Sequence, residues 1–162
     1  QILAPGGALE AMLEAKQAGK IGHIGVTAHS VEVFRRLLQL DWVETIMFPY
    51  NIVENQAEEL IAQCAEKKIG FICMKPLAGG AIEDGRLALR YIAANPNVTL
   101  VIPGMAEPKE VEENAAAVAD AAPLTQQDRV YLGWEEMPPK RPRRKKKRPQ
   151  EGESAQNLPE NP

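Results

Sequence analysis

The chain is poor in the residues that build disulfide-rich, metal-binding and membrane-spanning proteins. Its two cysteines, Cys64 and Cys73, form neither a disulfide framework nor a metal-ligand spacing. A reducing, cytoplasmic setting is therefore the expected location. The two histidines, His23 and His29, lie six positions apart, which fits no zinc motif, and no metal site is expected. No apolar run approaches the ~20 residues a helix needs to cross a bilayer, and no secretory leader pattern is recognised, so no membrane partner is expected. Gly19, Gly22 and Gly25 recur at every third position and miss the G-x-G-x-x-G spacing that turns a strand into a helix over a pyrophosphate. A G-x-x-x-x-G-K phosphate loop is missing too.

What is present is an aliphatic, alanine-rich chain. Hydrophobic residues make up 44% of 162 positions, enough to bury one core, while aromatics contribute only 5%, as helix-on-sheet packing tends to require. The formal net charge of −3 hides an asymmetry: residues 1–133 carry 11 Lys/Arg against 17 Asp/Glu, a net of −6, whereas residues 134–162 carry 8 against 5, a net of +3. From Trp134 onward Pro, Lys, Arg, Glu and Gln take over, so 134–162 reads as a disordered basic tail after a domain over 1–133. The run KRPRRKKKR at 140–148 has the composition of a nucleic-acid patch. It lacks interleaved aromatics, so a solvated, self-repelling tail is the expected behaviour and nucleic-acid binding the weaker one.

The hydrophobic pattern alternates between helix and strand. Helices are predicted over 7–19, 31–40, 55–68, from Asp84 or Gly85 to 94, 109–119 and 125–132. Gly19 stops the first, Ser30 and Asn55 cap the second and third, and Pro108 opens the fifth. In the first helix Leu9, Met12 and Leu13 share one face. Strands are predicted over 21–26, 43–48, 69–74 and 98–102, starting at intervals of 22, 26 and 29 residues, the length of one strand, one helix and two loops. Right-handed βα units at that interval imply a parallel sheet, whose ligands sit on the loops after the strands. Thr27 to Ser30 is such a loop, and His29 is a candidate pocket residue there, whereas His23 is expected to be structural. Lys75, between the third strand and Pro76, is a candidate phosphate or Schiff-base lysine. Gly22 and Gly25 are expected to let a neighbour approach the first strand closely.

Four segments in order, GALEAMLEAKQAGKIGHIGVTAHS (7–30), MFPYN (47–51), MKPLAGG (74–80) and VIPGMAEPKEVEENAAAV (101–118), resemble the C-terminal half of an aldo/keto reductase. The branch resembled is the bacterial one in which a small ferredoxin-like segment follows the barrel, and the likeness covers residues 7 to about 125. It implies a partial, half TIM barrel of four parallel βα units, and hydride transfer between NAD or NADP and a small carbonyl substrate. By the resemblance Thr27 and Ala28 stand where a Ser-Asn pair holds the nicotinamide carboxamide, although Ala28 cannot donate that bond. Met74 stands where a tyrosine stacks on the nicotinamide. Lys75, Pro76 and Leu77 lie in the loop over the pyrophosphate, Gly104 and Met105 beside the ribose, and Glu113 and Asn114 at the adenine. Glu110 replaces an arginine found in many NADPH-using members, so NAD is expected over NADP. The family's catalytic Asp, Tyr, Lys and His belong to the first half of the barrel, so no catalytic residue is assigned to this chain. The cysteine-rich segment expected after Gly133 is replaced by WEEMPPKRPRRKKKRP, so no iron–sulfur cluster is expected. With Gln1 as the first residue, the chain reads as a fragment that needs its missing N-terminal half or self-association. The alternative is an inactive fragment or pseudo-enzyme that at most binds nucleotide.

Overall fold

The computed structural model describes residues 2–120 and 122–134. In chain order the elements are α1 (Ala8–Gln17), β1 (Gly25–Thr27), α2 (Val31–Leu37), β2 (Thr45–Pro49), α3 (Glu58–Glu66), β3 (Gly70–Met74), α4 (Gly85–Ala93), β4 (Leu100–Ile102), α5 (Pro108–Ala119) and α6 (Gln126–Tyr131). The four strands form one sheet in the order β1-β2-β3-β4, every neighbouring pair parallel. Parallel pairing of consecutive strands needs a crossover between them, and α2, α3 and α4 are those crossovers. The expected tail over 135–162 lies outside the described residues. Trp134, assigned to that tail, instead donates its N–H to the Arg129 carbonyl at 2.8 Å and stands edge-on to Tyr91, ring centroids 5.9 Å apart.

Local chemistry explains both the agreements and the differences. Gly19 takes φ +70 just beyond α1, a left-handed turn that ends the helix. The carboxylate of Asp84 accepts the Leu87 N–H at 2.9 Å and caps α4, and Pro108 opens α5. Ser30 occupies the position before α2, yet its side chain makes no capping bond. The third helix begins at Glu58, because the Asn55 carbonyl is used in a turn to the Glu58 N–H. The first strand starts at Gly25 rather than at 21. Ahead of it, the Ile24 N–H is taken by the Glu44 carboxylate at 2.8 Å instead of by a neighbouring strand. Gly22 has open space where a Cβ would stand, so no close approach occurs there. At Gly25 a Cβ would collide with Thr45 Oγ1, its partner across the β1–β2 pair.

Strand alternation divides the sheet into two faces. Ile46, Phe48, Phe71 and Cys73 point toward the helices and are buried. Phe34 of α2 packs there between Phe48 and Phe71, with ring centroids 5.1 and 6.0 Å away, and Tyr50 meets Phe71 edge-on at 6.3 Å. The opposite face carries the register row Thr27, Met47, Ile72 and Leu100, one residue from each strand. Leu100 is 51% exposed, so this face is uncovered among the described residues. The apolar stripe of α1 also stays open: Met12 is 39% and Leu13 44% exposed, contrary to the burial its amphipathic pattern implies. The two cysteines are buried and free, and desolvation pushes their thiols up to about 11 at Cys64 and about 12 at Cys73, far from a reactive thiolate.

Glu44 ties the strand starts together. Its carboxylate accepts from Lys16 Nζ at 2.7 Å and from the Ile24 N–H, and meets His23 Nδ1 at 3.0 Å. These bonds, the one to Lys16 foremost, lower its pKa from 4.5 to about 2. A depressed carboxylate stabilises the fold above its unfolded pKa and loses that contribution as the pH falls toward its folded one. Thermal melts of the wild type should therefore drop between about pH 4.5 and 2, and Glu44→Gln should flatten that part of the profile while lowering stability near neutrality. Parallel profiles for the two proteins would show that Glu44 is not the group responsible.

Candidate functional site

All four strands end on the same rim, and the loops after β3 and β4 form its most structured part. After β3 the chain turns sharply, with φ +54 at Lys75, +48 at Ala78, +70 at Gly79 and +95 at Gly80. Left-handed backbone at the two non-glycine residues costs energy and persists only where surrounding bonds impose it. One bond is local, from the Ala78 N–H to the Lys75 carbonyl at 3.0 Å. Lys75 itself is exposed and, among the described residues, has no carboxylate partner, so its ammonium faces the rim. The Schiff-base reading, which needed a buried amine, loses its premise.

Two adjoining clefts run along this rim. One of about 430 Å³ is lined by Lys75, Pro76, Leu77, Gly79, Gly80, Ile102 and Gly104. The next, of about 670 Å³, shares Leu77 and Gly104 with it and continues between α4 and α5, past Arg86, Glu110, Glu113 and Asn114. The shared residues make the two a single trough, with an exposed lysine at one end and Asn114 at the other.

Away from Lys75 the charge lining the trough is mostly negative. Glu83, Glu110 and Glu113 line it, and its one arginine, Arg86, is held by Asp120 at 2.6 Å. The Glu110 carboxylate accepts the N–H of Ala106 at 2.5 Å and of Glu107 at 3.2 Å, which lowers its pKa and fixes it, ionised, at the start of α5.

The residues singled out from the sequence divide accordingly. Lys75, Pro76, Leu77, Gly104, Glu113 and Asn114 come together in the trough. Met74 ends β3 beside Ile102 and is only 9% exposed. Ala28 is buried in the core, its N–H bound to the Met47 carbonyl, while Thr27 is exposed with its hydroxyl 3.8 Å from Met47 Sδ. Met105 turns away and lines a separate depression with Pro108 and Val111. His29 is exposed after β1, and His23 lies outside any strand against Glu44. One buried polar residue beside the rim escaped the sequence reading: Asn51, whose side chain reaches the Lys75 carbonyl. Its only signal was an asparagine following an apolar strand.

Four consecutive parallel βα units whose strands lie in sequential order, with a trough at the carboxyl ends of the strands, are the arrangement of the (β/α)-barrel class. Within that class the chain resembles the aldo/keto reductase family, whose model matches residues 7–86. An uncharacterized oxidoreductase of Schizosaccharomyces pombe is 27% identical over 63% of this chain and 39% of its own length. L-galactose dehydrogenase of Arabidopsis thaliana is 26% identical over 72% of this chain and 48% of its own. The holo form of aldo-keto reductase AKR11C1 from Bacillus halodurans superposes with a TM-score of 0.63 at 25% identity, covering 76% of this chain and 53% of that one. The chain thus spans about half the length of the proteins it matches. Among the described residues no helix is long and apolar enough to cross a membrane.

Proposed function

We propose that this chain provides the dinucleotide-binding side of an NAD-dependent oxidoreductase acting on aldehydes or ketones, and that it works in a reducing, cytoplasmic setting. The trough from Lys75 to Asn114 carries this reading: it is elongated, cationic where a pyrophosphate would lie, and polar at the far end where an adenine would meet Glu113 and Asn114. When bound, the nicotinamide supplies the hydride. This chain's own residues hold and orient it: Lys75 by charge, Pro76 and Leu77 by apolar contact, and Gly104 by leaving room. Met74 is too buried to offer a broad stacking face, and Ala28 offers no carboxamide ligand, so the nicotinamide end is the less firmly held. The proton donor comes from outside these residues.

A second reading, a nucleotide-binding or self-associating chain without catalysis, is favoured by the open row Thr27, Met47, Ile72 and Leu100 and by the edges of β1 and β4, which no strand among the described residues pairs. Titration with NADH, followed by addition of an aldehyde, tests both. Saturable binding without NADH oxidation is expected from this chain alone, and oxidation once the N-terminal half of an aldo/keto reductase is supplied. Oxidation by this chain alone would overturn the placement of the proton donor, and no binding would overturn the proposal itself.

A further inference from the structure

Asn51 is completely buried and is the buried polar side chain among the described residues. It sits in the loop after β2, and all its bonding capacity is used. Its Oδ1 accepts the N–H of Val53 at 3.0 Å and of Glu54 at 2.8 Å. Its Nδ2 donates to Glu54 Oε2 at 2.9 Å and to the carbonyl of Lys75 at 3.0 Å. The first three bonds fold its own loop. The fourth crosses to the neighbouring strand and holds the peptide at which the backbone turns left-handed at Lys75, the start of the 75–80 loop. That carbonyl also accepts the Ala78 N–H, so one oxygen anchors the loop from both sides.

We infer that Asn51 is a positioning residue: by holding the Lys75 carbonyl it presets the 75–80 loop, and with it the lysine ammonium, for the dinucleotide pyrophosphate. The inference rests on the proposed cofactor reading. A buried donor fixed at both ends transmits position without touching the ligand, and small displacements of a binding group are costly. The adenine end of the trough, at Glu113 and Asn114, is built on α5 and does not depend on this bond.

Asn51→Asp in a Glu54→Gln background tests the assignment in the full chain, because a carboxylate that no longer faces the Glu54 carboxylate still accepts the two N–H groups of its own loop but cannot donate to Lys75. NADH affinity should fall by about tenfold or more, while adenosine, followed through the amides of Glu113 and Asn114, should bind within about twofold of the wild type. Glu54→Gln alone, which leaves the Asn51 to Lys75 bond in place, should bind NADH as the wild type does. Equal losses for NADH and adenosine, or a loss with Glu54→Gln alone as large as with the double variant, would make Asn51 a general structural residue and overturn the inference. Hydrogen exchange on the unaltered chain provides a ligand-free check that survives a misfolded variant. The Ala78 and Gly80 amides should be protected nearly as well as those of β3, and exchange at loop rates would overturn the inference. A wild type that protects these amides but binds no NADH would sink the cofactor reading instead.

Discussion

Replacing Phe71 by alanine is expected to abolish cooperative folding of this chain at room temperature. Phe71 is fully buried on β3, with Phe34 stacked at 6.0 Å and Tyr50 edge-on at 6.3 Å, so no neighbour can move into its place without giving up its own contacts. Emptying such a site costs about 3–5 kcal/mol, against a typical total stability of about 5–15 kcal/mol. Among the described residues the sheet is covered on one face only, which places this chain toward the lower end of that range. Leu100→Ala is the matching control. Leu100 has similar bulk but stands on the uncovered face at 51% exposure, and its loss should cost under about 1 kcal/mol. Urea denaturation of the two variants measures the difference. Equal effects would mean that the helix-covered face is not the core, or that the other face is covered in solution.

The second large effect concerns cofactor choice. NADPH is expected to bind at least about tenfold more weakly than NADH, because the carboxylates of Glu83, Glu110 and Glu113 line the trough and Arg86 is already paired with Asp120. Unit charges of like sign about 4 Å apart repel by about 4 kcal/mol at a near-surface dielectric, so even a partly screened contact suffices for that ratio. Glu110 deserves the substitution, since the amides of Ala106 and Glu107 fix it in place and a bound phosphate could not displace it cheaply. Glu110→Gln should narrow the preference and Glu110→Arg reverse it, with a modest loss of melting temperature from the weakened cap of α5. A wild type preferring NADPH would contradict this account of the trough's charge.

Much of this architecture was legible in the sequence because its punctuation is local. Asp84, Gly19 and Pro108 act within a few residues of themselves, and each marks the helix boundary it was expected to mark. What was not legible depends on distant partners. The segment before Gly25 alternates like a strand, yet a carboxylate twenty positions away takes the Ile24 amide. The stripe of Leu9, Met12 and Leu13 signals a buried face, but amphipathicity cannot say what covers it, and Met12 and Leu13 stay exposed. Asn51 gave no periodic signal at all, because its role lies in a carbonyl twenty-four residues further on. The site residues taken from the family resemblance divide for the same reason. Lys75, Pro76, Leu77 and Gly104 on the β3 and β4 loops converge in one trough with Glu113 and Asn114 of α5, whereas Met105 lines a separate depression and Ala28 and Met74 have been drawn into the core by their own packing.

The central claim is that a dinucleotide lies along the rim from Lys75 to Asn114. Titrating the isotopically labelled chain with NADH and following its backbone amides tests this most directly. Shifts should concentrate at residues 75–80, at Gly104 and at 110–114, leaving the Glu44 cluster at the opposite ends of the strands unmoved. Saturable binding with its shifts centred elsewhere, or none at any NADH concentration that keeps the protein folded, would contradict it.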